Sequence, residues 1–146
     1  MTNSNMSLRA AWGDPRLRAY ALLRFTMGID LLVHGGIRIW HGPAKFVTWI
    51  AGQFAGTPVP RGLVVAFGWP LQFLELGLGV RLLIGLFTRE ALTVAFLIIA
   101  ALVFGSSMRQ DWPTVGVQLI YALAYFVLLT CVDRDELGAD AWRRSR

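Results

Sequence analysis

The chain is 146 residues, enough for one compact domain and short for two. Hydrophobic residues make up 55% of it and charged residues 16%, against about a quarter charged in an ordinary soluble domain, and mean hydropathy is +0.54, so a water-soluble globule gives way to an integral membrane protein. A net charge of +5 would suit nucleic-acid binding in a polar chain, but much of the arginine lies within or beside apolar runs and no nucleic-acid module is visible, while a single cysteine, Cys131, excludes an intrachain disulfide, a CxxC pair and any multi-cysteine metal or iron–sulfur site.

A spanning helix needs roughly 20 mostly apolar residues. Four segments qualify: Ala19 to Trp40, Leu63 to Phe87, Ala91 to Phe104 with a little extension, and Val115 to Val132. The expected fold is therefore all-α, an integral membrane four-helix bundle, with a cytoplasmic arm over 1–18, the transmembrane domain over 19–132 and a cytoplasmic tail over 133–146. The first span is too long, too interrupted by Arg24, Asp30 and His34, and too poor in a small-x-small site to be a removable signal peptide. Between spans one and two, His41-Gly42-Pro43 turns the chain into a short helix on which Phe46, Trp49, Ile50 and Phe54 share a face, an extracytoplasmic interfacial helix. Thr57-Pro58-Val59-Pro60 then forms a stiff, non-helical lead into span two. Phe87-Thr88-Arg89-Glu90 is a tight link that makes spans two and three an antiparallel hairpin, and span three is expected to be the shortest. In the tail, Asp133 with Glu136 three residues later predicts the cap of a short surface helix near anionic lipid.

Basic residues are retained on the cytoplasmic side of a membrane. Arg9, Arg16, Arg18, Arg89, Arg134, Arg143, Arg144 and Arg146 fall on one side, against Lys45, Arg61 and Arg109 on the other, with Arg38 at its border. Both termini are thus expected in the cytoplasm of a bacterial-type cytoplasmic membrane. Arg38, Lys45 and Arg61 at the outer side are either an anion-attracting group or ordinary interfacial charge.

Charges inside spans cost about 2.5–3.5 kcal/mol each at the bilayer centre and need partners. Those here are Arg24, Asp30, Glu75 and Arg81; Arg81 is near the cytoplasmic boundary and is expected to snorkel. At about 1.5 Å per residue, Arg24 lies roughly 7 Å and Glu75 roughly 12–18 Å from the cytoplasmic face, which pairs Arg24 with Glu75, either as a lock on helix register or as part of a ligand site. Asp30, His34, Arg38 and His41 recur at spacings of four, four and three along one stripe of span one. An acid, an imidazole and a guanidinium in line suit a proton relay in which Asp30 orients His34; the plainer reading is a hydrogen bond that satisfies two buried groups. Gln118, Tyr121 and Tyr125 share a face of span four at similar depths. The two stripes together describe a cavity or a hydrogen-bonded core. Haem is disfavoured because His34 and His41 both belong to the first span or its end, and no metal site is expected.

Leu22-Leu23-Arg24-Phe25-x-x-Gly28, Val33-His34-Gly35-Gly36-x-Arg38, Gly56-x-Pro58-x-Pro60, Leu74-Glu75-Leu76-Gly77-x-Gly79 and Leu83-x-Gly85-Leu86-Phe87-Thr88-Arg89, in that order, resemble the DoxX and DoxD-like family of small four-helix membrane proteins. The likeness covers roughly Leu22 to Phe104, with arginine at position 38 where the family pattern usually has lysine. The resemblance implies membrane redox chemistry, since some relatives are subunits of thiosulfate:quinone oxidoreductase and others accompany soluble oxidoreductases. It carries over Arg24, His34, Arg38 and Glu75 as a polar site; Asp30, Tyr121 and Tyr125 come from spacing alone. The expected function is a membrane subunit of an oxidoreductase or electron-transfer complex with a quinone-side pocket, in which Asp30 and His34 handle protons while Arg24, Arg38, Glu75, Tyr121 and Tyr125 hold the ligand. Electrons would come from partner subunits or substrate, and lipid is the surrounding partner. The rival expectations are a non-catalytic accessory subunit at the edge of a larger membrane complex and a small transporter or lipid handler using the same residues.

Overall fold

The computed structural model describes residues 12–144. Most of the predicted arm, 1–11 with its Arg9, and Arg146 at the other end lie outside that range. Helix α1 runs Pro15–Trp40, α2 Pro43–Gln53, α3 Arg61–Ile84, α4 Thr88–Met108 and α5 Trp112–Thr130, followed by a 3-10 turn, Val132–Arg134, and a short helix α6, Ala139–Arg144. The described residues contain no strand. Three helices, α3, α4 and α5, are long and apolar enough to cross a membrane by themselves. The 26-residue α1 is the longest helix but carries Arg24, Asp30, His34 and Arg38 among its apolar residues. The third predicted span extends further than expected: α4 has 21 residues against 19 in α5.

Local sequence sets most of the boundaries. The Asp14 side chain accepts from the Arg16 amide at 2.7 Å with Pro15 in the first turn, and Asp111 accepts from the Thr114 amide with Pro113 behind it, so α1 and α5 start on capped amides. The Asp111 carboxyl is held below the usual aspartate range by the Thr114 hydroxyl first and the Thr114 amide second. Helix α3 ends at Gly85, whose φ of 69° is the left-handed conformation that glycine adopts without strain. The helix runs through Pro70, which removes one backbone donor from its middle.

Helices α1 and α3 form the closest pair, antiparallel and joined through small residues. A Cβ on Gly35 would lie 2.5 Å from the Gln72 carbonyl oxygen and the Leu76 nitrogen, and one on Gly79 2.4 Å from the Leu32 nitrogen. Backbones this close exclude any side chain at those two positions. Helix α4 pairs with α5 and closes the bundle against α3. The core between the four contains Met27 and Leu31 from α1, Leu71, Leu78 and Leu82 from α3, Leu92, Ile98 and Ile99 from α4, and Tyr125 and Leu128 from α5.

The predicted short helix after span one exists, but the face it buries differs from expectation. Val47 and Ala51 are buried, with Val47 and Ile50 over Gly68 of α3. Gln72 of α3 donates to the Pro43 carbonyl at 3.4 Å and ties down the start of the helix. Phe46, Trp49, Ile50 and Phe54 turn toward an internal cavity.

The tail is a clasp on the α3–α4 turn. Phe87 precedes α4 in the left-handed region (φ 49°) and gives the helix no side-chain cap. Asp140 supplies one from the far end of the chain: its carboxylate accepts from the Phe87 amide at 2.9 Å and the Thr88 amide at 2.8 Å, while its own amide donates to the Gly85 carbonyl. The buried Asp135 accepts from the Thr88 hydroxyl at 2.7 Å and faces Arg24 Nε at 3.4 Å. The expected cap at Asp133 is not made; Asp133 lies in the 3-10 turn and pairs with Arg89 at 2.9 Å.

Partial burial pushes the Asp140 carboxyl up, but the Thr88 and Phe87 amides outweigh it and the group titrates below the ordinary aspartate value. An Asp held lower in the folded chain stabilises it above the unfolded value of about 4, and that contribution fades as pH falls through the folded value. Asp140→Asn is therefore expected to lower stability in detergent by about 1 kcal/mol at pH 6. The gap in thermal midpoint between parent and variant should narrow as the pH falls below the ordinary aspartate value and close once the folded-state carboxyl is protonated; a gap constant across pH would contradict the carboxylate cap.

Candidate functional site

A cavity of about 520 Å³ lies among α1, α2, α3, α4 and α5. Its size is within the range of small-molecule sites. Its walls are mainly apolar, from Leu31, Phe46, Ile50, Leu71, Ile98, Ile99 and Leu102, and its polar groups are Asp30, His34, Arg38, Glu75, Gln118, Tyr121 and Tyr125. The stripes expected on spans one and four thus face one shared space. Arg109 and Thr114 line its other end, with Arg109 donating to Gln53 at 3.1 Å and standing 5.7 Å from the centre of the Phe54 ring, so α2 is tied at both ends.

The polar groups form a connected set. Arg38 Nη1 donates to Glu75 Oε2, and its guanidinium sits 4.4 Å from the centre of the Phe46 ring. The Tyr121 hydroxyl donates to Asp30 Oδ1 at 3.2 Å and bridges α5 and α1. His34 Nδ1 is 2.9 Å from the backbone carbonyl of Asp30 and 3.3 Å from its Oδ1. A carbonyl oxygen only accepts, so Nδ1 carries the hydrogen, and Nε2 of the neutral ring is a bare acceptor. Tyr125, buried, makes no hydrogen bond within the described residues, and its hydroxyl is able both to give and to accept. On the same face of α5, toward its start, Gln118 donates to the Ser106 hydroxyl at 3.0 Å.

One expected partnership is overturned. Glu75 is matched by Arg38 and not by Arg24, and Arg24 does not line the cavity. The reason is register. The glycine contacts set Gly35 beside Gln72 and Leu76, and Gly28 beside Leu83, so Arg24 falls level with the end of α3, where its Nη1 donates to the Leu82 carbonyl and its Nε faces Asp135. A depth estimate that begins both helices at one plane misses that α1 starts at Pro15 and projects past the α3–α4 turn. His41 caps α1 at the surface, outside the cavity. Arg81 reaches toward the Leu86 and Phe87 carbonyls at the end of α3.

Sequence reasoning missed Asp135, Asp140 and Ser106. A signal for the first two was present: Phe87 offers α4 no capping side chain, so an acceptor for its first amides had to come from elsewhere. No group of three or more histidine, cysteine or acidic residues among the described residues is arranged to hold a metal ion. Comparison with family models, curated proteins and solved structures returns no match to this chain.

Proposed function

We propose that the chain is a four-helix integral membrane subunit of an oxidoreductase or electron-transfer complex, and that its cavity receives a quinone. The observation that carries this reading is the cavity itself: apolar walls for a lipophilic ring and tail, with Asp30, His34, Arg38 and Tyr121 gathered at one place. In this reading α1 is the fourth span, its charges turned to the cavity and the tail clasp. Both termini lie in the cytoplasm of a bacterial-type membrane, as the distribution of arginine suggests. The order of motifs that resembles the DoxX family supports the same assignment.

The donor set suits such a ligand. Arg38 keeps guanidinium nitrogens beyond the one given to Glu75, and Tyr125 has a free hydroxyl; both suit the oxygens of a planar ring. His34, fixed by the Asp30 carbonyl, holds or releases a proton at Nε2, and Asp30 balances the imidazolium when it forms. A bound quinone supplies two-electron, two-proton chemistry.

His34→Gln is expected to lower quinone-linked turnover at least about a hundredfold, the usual worth of a positioned acid or base, with the complex intact when purified from native membrane in mild detergent. An unchanged rate in an intact complex would remove the proton-handling role. An accessory role without chemistry is the second reading, and α5 favours it: only Tyr125 and Leu128 of that helix are buried, which leaves a long apolar face for lipid or a partner helix. Under that reading His34→Gln leaves turnover unaltered wherever the complex assembles, and extraction yields partner chains without quinone.

A further inference from the structure

The hydrogen-bond inventory at the Asp30 corner of the cavity points to the form of ligand it takes. Two side-chain donors lie beside Asp30, and both are already used by the chain. The Tyr121 hydroxyl is given to Asp30 Oδ1 and the His34 Nδ1 hydrogen to the Asp30 carbonyl, while Arg38, two helical turns further along α1, is bonded to Glu75. What remains beside Asp30 and His34 is accepting capacity. Asp30 Oδ2 makes no bond within the described residues, and His34 Nε2 is a bare lone pair when Nδ1 carries the hydrogen. The carboxylate is just over a quarter exposed and the imidazole about half exposed, so both are open to a molecule in the cavity.

A ligand oxygen without hydrogen would set lone pair against lone pair at this corner and displace the partner that either group could otherwise accept from. A hydroxyl reverses the sign: its hydrogen goes to Asp30 Oδ2 or His34 Nε2. We propose that the cavity binds its ligand through a donated hydroxyl, so that a lipophilic hydroquinone or phenol is held in preference to the corresponding dione. The spare guanidinium nitrogens of Arg38 and the Tyr125 hydroxyl serve the oxygen at the other side of the ring. This inference rests on the cavity being a quinone site.

The test uses the chain in detergent and three probes that share one ring substitution and tail: a decyl-benzoquinone, its hydroquinone kept reduced under argon, and the dimethyl ether of that hydroquinone. Binding is read by equilibrium dialysis. The hydroquinone is expected to bind about tenfold more tightly than the other two, the worth of one charge-assisted hydrogen bond gained and one repulsion avoided. Asp30→Asn, which turns a pure acceptor into a group that also donates, should bring the quinone to within about twofold of the hydroquinone, and His34→Ala should reduce the preference while hydroquinone still binds. Equal binding of quinone and hydroquinone to the parent chain, or a preference that survives both substitutions, overturns the donated-hydroxyl inference and leaves the quinone site standing. Failure of all three probes to bind overturns both.

Discussion

Replacing Arg24 by Met is expected to destabilise the folded chain by about 3–5 kcal/mol, the usual cost of leaving one partner of a buried ion pair without the other. Arg24 and Asp135 are exposed by only 4% and 2%, and the guanidinium also serves the Leu82 carbonyl at the end of α3. Met keeps the length and the packing of the stem, so the loss is electrostatic. Asp135 would then hold a buried charge beside the Thr88 hydroxyl with its guanidinium gone. The double variant Arg24→Met with Asp135→Asn, which removes that charge and keeps an acceptor for Thr88, should recover about half of the loss. Unfolding by sodium dodecyl sulfate in mixed micelles, followed by tryptophan fluorescence, measures both. A single-variant cost below about 1 kcal/mol, within the range of an exposed pair, would contradict the burial of this contact.

Two glycine-to-alanine substitutions on α3 should differ sharply. Gly79→Ala places a methyl group 2.4 Å from the Leu32 nitrogen and 2.7 Å from its Cα, both backbone atoms that cannot swing aside. Helices α1 and α3 must separate, at an expected cost of about 3 kcal/mol, and the cavity between them should change shape with them. Gly77→Ala, two residues earlier, meets nothing within 4 Å and should stabilise the helix by up to about 1 kcal/mol. Thermal unfolding of both in the same detergent decides the matter. Similar midpoints for the two would mean that α1 and α3 do not meet at Gly79.

The helices were legible because their signals are local. Apolar runs of spanning length and the His41-Gly42-Pro43 turn into α2 each depend on a few neighbouring residues. The polar stripes were legible for the same reason: spacings of three and four fix which side of a helix a residue takes, and Asp30, His34, Gln118, Tyr121 and Tyr125 do share a cavity. Register between helices is another matter. The offset of α1 against α3 comes from where Gly28, Gly35 and Gly79 let two backbones touch, and counting inward from a membrane plane cannot supply it. That is why Arg24 was matched to Glu75, when the carboxylate at its level belongs to Asp135. The burying face of α2 was missed because Val47 and Ala51 offer less apolar surface than the aromatic residues beside them, yet they are the two residues of the helix that the fold buries.

The placement of Arg24 opposite Asp135 also bears on the order in which the chain is made. Helix α1 leaves the ribosome early, carrying a guanidinium whose counter-charge has not yet been translated. Until the segment after α5 emerges, that arginine must stay near water or a lipid headgroup, and the turn between α3 and α4 waits without the Asp140 acceptor for its amides. Residues made after all five long helices are thus the ones that hold the base of α1. A chain cut short before Asp135 would keep the long helices while Arg24 lacks that carboxylate and the Phe87 and Thr88 amides lack Asp140.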